Sequence, residues 1–507
     1  MALNLISSIV VFIIQLLINF FLAPFIISTL GDEAYGFLGL ANSIVNYGYI
    51  LTVVINSVAG RFVAYEYHRG DRLRASKYYS SVLVVNFIFS LLICALSAAF
   101  ISNLNYFINV SPTLYTDVQL TLAIYFANFC LGLFNAVLTC HAFIKNKVYL
   151  ITVRNAISTA LFATCILALY YFLPAHIFYA AVSAIVGTIF VFVSALGVNA
   201  RLATGVKFRL KLFRAKMLGE LLKSGSWNSF NMISYTLINS VDLLLCNIFI
   251  SAAAMGVLSV SKAAILIIEA FVYMLSSVFA PRFVELFSKG NISGLLAEVK
   301  FAMKAEAFLA LAPICAFVAF GRDFYTLWLP FKNAEQIEEI YTLAMISVVP
   351  AVFLSCMYPL LNLNTVTNKL RRPASANMVM SLVAVSSQIA LLELTHWGLY
   401  ALVASVGACM VARVACFDIF NAARNLNMPK REFVGVFGRN LLVFCALLAA
   451  MIWLRSFVEI SSWATFAAWG LAFLVAGYAA SVFAIFGGEE KTMLFDKLKS
   501  IIFRGRK

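Results

Sequence analysis

Apolar runs recur along the whole chain, near residues 5–30, 37–60, 78–102, 118–143, 150–173, 176–199, 225–250, 254–280, 303–328, 341–363, 374–395, 397–422, 437–457 and 462–486. A helix needs about 20 apolar residues to cross the hydrocarbon core of a bilayer. The pattern therefore predicts an all-α, polytopic membrane protein with about 14 transmembrane helices, numbered 1 to 14 in chain order. The polar segments between the runs alternate in kind. Basic ones are 61–77, 145–154, 201–223, 282–304, 369–372, 413–439 and the tail from Lys491; together they hold 33 of the 37 Lys and Arg. The others are neutral or acidic, such as NAEQIEEI at 333–340. Excess Lys and Arg marks the cytoplasmic side. With the N-terminus inside, every basic segment and the C-terminus fall in the cytoplasm, whereas one helix more or fewer would invert the rule for everything after it.

Composition agrees. Of the 507 residues, 63% are hydrophobic and mean hydropathy is +0.94, against roughly 45–50% apolar in soluble domains, which excludes a soluble enzyme. The net charge of +15 is confined to short membrane-flanking segments, so it argues for a membrane surface and against nucleic acid. The ten cysteines lie in apolar runs without a CxxC, and the four histidines lack ligand spacing. They read as core residues, with no metal site, cofactor or catalytic constellation. The first run lacks a basic lead and is too long for a signal-peptide core, so it reads as a retained helix. Two basic stretches look amphipathic: 207–223, with Phe208, Leu212, Leu218 and Leu222, and the tail, with Leu494, Leu498 and Ile501. Both are expected to lie flat on the inner leaflet.

The chain repeats itself. EAYGFLGLAN (33–42) and AAMGVLSVSK (253–262) align Gly36 with Gly256 and Asn42 with Lys262, an offset of 220. The same offset pairs Asn19 with Asn239 and, within one residue, RFVAYEYHRG (61–70) with RFVELFSKG (282–290). Helices 1–6 and 7–12 read as duplicated halves. Six crossings per half make them parallel, related by an axis along the membrane normal, with a midplane site expected between them. The predicted organisation is an N-terminal lobe at 1–200, a cytoplasmic amphipathic basic linker at 201–224, a C-terminal lobe at 225–424, and helices 13–14 with a basic tail at 425–507.

Amides mark the expected lumen. Gln15 and Asn19 lie one turn apart in helix 1, as do Asn42 and Asn46 in helix 2. In helix 7, Asn228, Asn231, Tyr235, Asn239 and Asp242 fall within roughly 80° of one another. Such residues either line water or join helices by hydrogen bonds; five in a row suit a lumen. Lys262 lies about 15 Å deep at 1.5 Å per residue, where a lone charge costs roughly 2.5–3.5 kcal/mol. It should face a cavity or a partner. Asp242 lies equally far before the helix 7–8 turn, so an Asp242–Lys262 ion pair and a ligand site are both open, and compatible. Glu269 shares a face with Lys262.

FFLAPFIISTLGDEAYGFLGLANSIV (20–45), HRGD (68–71) and the layout of six, six and two helices resemble bacterial polysaccharide transporters of the O-antigen flippase type. These belong to the superfamily of multidrug, oligosaccharidyl-lipid and polysaccharide exporters, with the multidrug/toxin extruders and the murein-precursor flippase. The resemblance implies alternating-access movement of an undecaprenyl-diphosphate-linked oligosaccharide across the bacterial inner membrane, for surface polysaccharides such as lipopolysaccharide O-antigen. It also implies a proton or sodium ion as coupling ion through Asp242 and Glu269, and glycosyltransferases and a glycan polymerase as partners. The substrate-binding set is Lys262, Asn231, Tyr235, Asn239, Gln15, Asn19, Asn42 and Asn46. The murein branch has a functional cation in helix 8, loosely matched by Lys262, and a basic residue in helix 1, where this chain has Gln15 and Asn19. Two alternatives are an ion-coupled drug extruder, which would favour acids over bases in its cleft, and a non-transporting scaffold of envelope synthesis.

Overall fold

The computed structural model describes residues 2–491 apart from 146, 148, 203, 278 and 489. The tail residues Leu494, Leu498 and Ile501 lie outside the described residues, as do the side chains of Gln15 and Asn228. The chain is all helical. One helical run, Ala2–His68, is broken at Gly31 by a backbone at φ 88°, ψ 171°, a conformation only glycine adopts cheaply. This makes helix 1 (2–30) and helix 2 (32–68) without a loop. There follow helix 3 (Arg72–Ser102), helix 4 (Tyr115–Leu138), helix 5 (Tyr149–Phe172), helix 6 (Phe178–Leu202), helix 7 (Ala215–Asn239, then Val241–Phe249) and helix 8 (Ala252–Ser277). Helix 9 (Ile292–Trp328), helix 10 (Ala334–Val366), helix 11 (Arg371–Leu394), helix 12 (Leu399–Arg413, through a π-helical turn to Leu426), helix 13 (Arg431–Arg455) and helix 14 (Trp463–Ile485) complete the chain. Among the described residues, 13 helices are long and apolar enough to cross a membrane. The first of them is the run divided at Gly31, so the sequence pattern of 14 crossings is recovered.

The repeat is visible in the turns. After RFV, both copies close their helix on a left-handed glycine, Gly70 (φ 93°) and Gly290 (φ 68°). In one copy Asp71 N donates to Glu66 O at 3.0 Å, and in the other Asn291 N donates to Leu286 O at 3.0 Å. The next residue then caps the following helix: Asp71 accepts from Arg74 N at 2.8 Å, and Asn291 from Gly294 N at 2.8 Å. Glycine supplies the positive φ, and the short polar side chain satisfies an otherwise open N–H.

The linker departs from expectation. Residues 207–223 do not form one helix: 207–214 are a strap with a single tight turn at Leu210–Leu212, and 215–223 are the first turns of helix 7. Lys207 N bonds to Ser76 Oγ at 3.3 Å, Arg209 N to Ser80 Oγ at 3.1 Å and Arg214 N to Ser81 Oγ at 3.0 Å. Three serines of helix 3 thus take up backbone donors of a strap that has no ladder of its own, and helix 7 starts at Ala215, ten residues before its apolar run at 225. Tyr78 and Arg74 donate to Glu220 and hold the first turns of helix 7 on helix 3.

The chain packs as two units. The first comprises 1–259 with 377–402, and the second 260–376 with 403–507. Within the first, Ile55, Val63, Tyr78, Val82, Val137 and Leu221 form a buried core. In the second, Val299, Met303, Leu311, Ile314, Leu360 and Phe433 do so. Lipid is as apolar as these side chains, so close approach at small residues and interhelical hydrogen bonds must supply the packing specificity. Helices 13 and 14 show this on helix 9: Asn440 Nδ2 donates to Met303 O at 3.2 Å, Tyr478 Oη donates to Leu309 O at 3.0 Å, and a Cβ added to Gly477 would stand 3.3 Å from that of Ala312.

Candidate functional site

The two copies of the repeated phrase cross each other. A Cβ added at Gly36 would lie 2.8 Å from Gly256 N, and one at Gly256 would lie 2.1 Å from Asp32 O. One residue of chain on either helix therefore has no room for a side chain at all. Gly39 stands over Ser259 and Leu243 in the same seam. Beside it, Asn109 and Asn247 exchange three hydrogen bonds of 2.8, 2.9 and 3.0 Å, and Ser111 N donates to Glu33 Oε1 at 2.9 Å. This end of the first unit is stitched shut.

Helix 2 then runs antiparallel along helix 7. Gly39 meets Leu243, Tyr47 Oη donates to Ser240 O at 3.0 Å, Val54 O lies 1.8 Å from where a Cβ of Gly225 would be, and Arg61 donates to Ser224 Oγ at 3.0 Å. Positions 39, 47, 54 and 61 share one face of helix 2; Asn42 and Asn46 lie roughly a quarter turn away, at 3.6 residues per turn. On helix 7 the stripe lies roughly a quarter turn from the face of Gly225, Ser240 and Leu243. Because the helices run in opposite directions, the two rotations bring both sets of polar residues to the same side of the pair. They form one wall.

Exposure separates two uses of amides. Buried amides are glue. Asn56 and Asn86 bond each other at 3.2 and 3.0 Å, Asn86 also donates to Leu133 O at 2.8 Å, and Asn364 Oδ1 accepts from Asn421 and Asn425 at 2.7 and 2.9 Å. By contrast, Asn19 and Asn42 are exposed and Asn46 half-buried, and none of the three makes a side-chain hydrogen bond among the described residues. Tyr235 is 54% exposed. Asn239 is half-buried, with Nδ2 donating to Tyr235 O at 3.1 Å. Asn231 accepts from Asn377 Nδ2 of helix 11 at 3.2 Å, so this member of the stripe does serve as glue.

The charges divide between the units. Asp242 is buried in the first, just past the break of helix 7 at Ser240, with Oδ1 accepting from Leu243 N at 2.9 Å. Lys262 and Glu269 belong to the second, both half-buried on helix 8 and within electrostatic reach of each other. Two of the other cations outside the basic segments have acid partners: Arg322 pairs with Glu338 at 3.0 Å, and Arg455 with Asp323 at 2.6 Å.

Sequence reasoning missed several polar groups. Arg413 and Asp418 pair at 3.1 Å across the π-helical turn of helix 12. Arg154, read as part of a basic turn, is 7% exposed within helix 5. Glu306 is fully buried in helix 9. The start of helix 9 at Ile292, not near 303, puts Glu306 well inside a helix. Helices 1 and 5 also flank an open apolar cleft of about 490 Å³ lined by Leu17, Phe21, Phe25, Ile166 and Tyr170.

Comparison with known proteins gives the fold. No family model matches the chain. It is 27% identical over 473 residues to an uncharacterized membrane protein, EpsK, of Bacillus subtilis (strain 168), covering 92% of each chain. Among solved structures it is similar to the lipid II flippase MurJ in an inward closed conformation, with a TM-score of 0.69 and 14% identity over 100% of this chain and 99% of that one. It is also similar to a multidrug resistance MATE family transporter of the MOP superfamily in an inward-facing conformation, with a TM-score of 0.66 and 14% identity over 80% of this chain and 94% of that one. The protein is a multi-pass membrane protein with this transporter fold.

Proposed function

We propose that the protein is a flippase that carries an undecaprenyl-diphosphate-linked oligosaccharide across the bacterial inner membrane by alternating access, for surface polysaccharide synthesis. The observation that carries this reading is the amide wall. Helices apolar enough to span a membrane present Asn19, Asn42, Asn46 and Tyr235 without burying them, on surfaces that gain nothing from lipid. Hydroxyl-rich sugars match such a wall, because amides both donate and accept hydrogen bonds and a tyrosine ring supplies a flat apolar face with a polar tip. Lys262 is the cation assigned to the diphosphate, and Asp242 and Glu269 are the acids assigned to ion coupling. The isoprenoid tail stays in lipid. Both termini are assigned to the cytoplasm by the charge pattern, and glycosyltransferases and a glycan polymerase act before and after the transport step.

Thiol accessibility tests the wall. With the native cysteines replaced, Cys at 42, 46 and 235 should react quickly with a water-soluble thiol reagent in intact membranes, and Cys in place of Leu442, an exposed residue in the apolar run of helix 13 taken as the lipid-side control, should not. Equal silence at all four positions would contradict a wet lumen. A second reading, an extruder of lipophilic compounds, is favoured by one feature, the apolar cleft between helices 1 and 5. It predicts that cells lacking the protein accumulate a lipophilic cationic dye and keep their surface glycan; the flippase reading predicts the reverse.

A further inference from the structure

Glu306 is an acid without a visible use. None of its surface is exposed, and neither carboxyl oxygen has a hydrogen-bond partner among the described residues. A charged carboxylate in such a place is too costly to leave unneutralised. The hydroxyl facing it is that of Ser276, on the last turn of helix 8. Asn362 Nδ2 of helix 10 donates to Ser276 Oγ at 3.0 Å and to Ser276 O at 3.2 Å. A hydroxyl has one hydrogen to give; with Ser276 Oγ accepting from Asn362, that hydrogen is available to the carboxyl. Helix 8 ends here at Ser277, Phe279 N turns back to Ser276 O at 3.2 Å, and a short helix, Ala280–Ser288, begins at once. Glu306 therefore sits at the joint of helix 8.

The surrounding groups leave the neutralising to a small ion. Helix 10 brings Cys356 and Tyr358; the Tyr358 hydroxyl is within electrostatic reach of Glu306, of Glu269 on helix 8 and of Arg413 on helix 12. Arg413 is already paired with Asp418. Helices 13 and 14 contribute the neutral Asn440 and Tyr478 near Met303 and Leu309. On helix 9 itself, Lys304 pairs with Glu490 and Lys300 with Glu432. No cation among these is committed to Glu306.

We propose that Glu306 is a proton-binding site that clamps the end of helix 8: protonated, the carboxyl packs against Ser276 and Asn362; deprotonated, it drives this joint open. A proton from water adds to a carboxylate oxygen on clamping and returns to water on release. The inference deepens the proposed function, since helix 8 carries Lys262, but its test uses no transported substrate.

Difference infrared titration and hydrogen exchange of the full-length protein in lipid nanodiscs test it. The wild type should show a carboxylic-acid band that disappears on alkalinisation and is missing from Glu306→Gln. Exchange of the amides around 274–284, corrected for intrinsic rates, should rise with pH in the wild type, by no more than about tenfold per pH unit for one linked proton, and should stay slow in Glu306→Gln. Glu306→Asp should keep a pH-dependent band. Superimposable spectra and exchange for wild type and Glu306→Gln would overturn the proposal. So would a joint that answers to sodium against choline at constant pH. Absence of glycan transport by the wild type, with both titrations as expected, would count against the flippase reading alone.

Discussion

Replacing Gly256 by alanine tests the crossing of the repeated phrases. The added methyl would stand 2.1 Å from Asp32 O, 2.5 Å from Asp32 C and 2.8 Å from Asp32 Cβ. All three neighbours are backbone or tied to it, so no side chain can swing aside. The two helices must separate by about 1 Å to restore ordinary contact. Overpacking of this kind costs typically 1–3 kcal/mol, which corresponds to a shift of roughly 5–150-fold in any equilibrium between a closed and an open seam. The assay is disulfide cross-linking of Asn109→Cys with Asn247→Cys, positions that bond each other directly beside the crossing, in a background lacking native cysteines. The closed seam should cross-link readily, and Gly256→Ala should cut the rate by at least several-fold. Gly39→Ala should do less, because its nearest neighbours are the side-chain atoms Ser259 Oγ at 3.0 Å and Leu243 Cδ1 at 3.2 Å. Gly132→Ala, with nothing within 4 Å of the new methyl, is the neutral control. Cross-linking of Gly256→Ala at the rate of the Gly132→Ala control would refute the close crossing.

Further outcomes follow from the same geometry. Asn86→Ala removes the partner of Asn56 and of Leu133 O in a buried site; it should cost about 1–3 kcal/mol, read as a lower thermal midpoint in detergent, and an unchanged midpoint would contradict the pairing. Lys262→Ala should abolish glycan export at normal protein abundance, with Lys262→Arg retaining a part; full export by well-expressed Lys262→Ala would remove the diphosphate role. The Tyr78 hydroxyl, with help from Arg74, holds Glu220 below the usual carboxylate range. A depressed pKa contributes stability above the unfolded value that is lost as pH falls through the folded one, so acidification should loosen the first turns of helix 7 from helix 3, seen as faster proteolysis around 215–223. Glu220→Gln should be loose already at neutral pH. Reporter fusions at 205 and 430 should lie in the cytoplasm and one at 335 outside; an external signal at 205 would overturn the assigned orientation.

The parts legible in the sequence are those encoded locally. Apolar length announces each membrane-spanning helix. The paired RFV turns announce their glycine and capping residue, Asp71 in one copy and Asn291 in the other. Helical period alone placed Tyr235 and Asn239 on one face. What escaped depends on partners distant in the chain. Ser76, Ser80 and Ser81 look like ordinary helix residues until the strap at 206–214 arrives to use their hydroxyls. Asn231 belongs to the stripe by period but to Asn377 by contact. Glu306 lies in the apolar run that begins at 303, and its burial comes from neighbours such as Ser276 of helix 8, which no local pattern announces. The glycine pair 36 and 256 was visible as a repeat, whereas the meeting of its two members is a property of the folded chain alone.

Reconstituted translocation is the direct test of the transport claim. Purified protein would be placed in liposomes carrying a fluorescent undecaprenyl-diphosphate oligosaccharide, and a membrane-impermeant lectin or glycosidase would report the fraction reaching the far leaflet. Translocation that depends on the protein, and that is lost in Lys262→Ala while Leu442→Ala keeps it, is the predicted result. Liposomes whose labelled lipid stays on its original leaflet with folded wild-type protein present, under pH and sodium gradients of either direction, would contradict the flippase assignment.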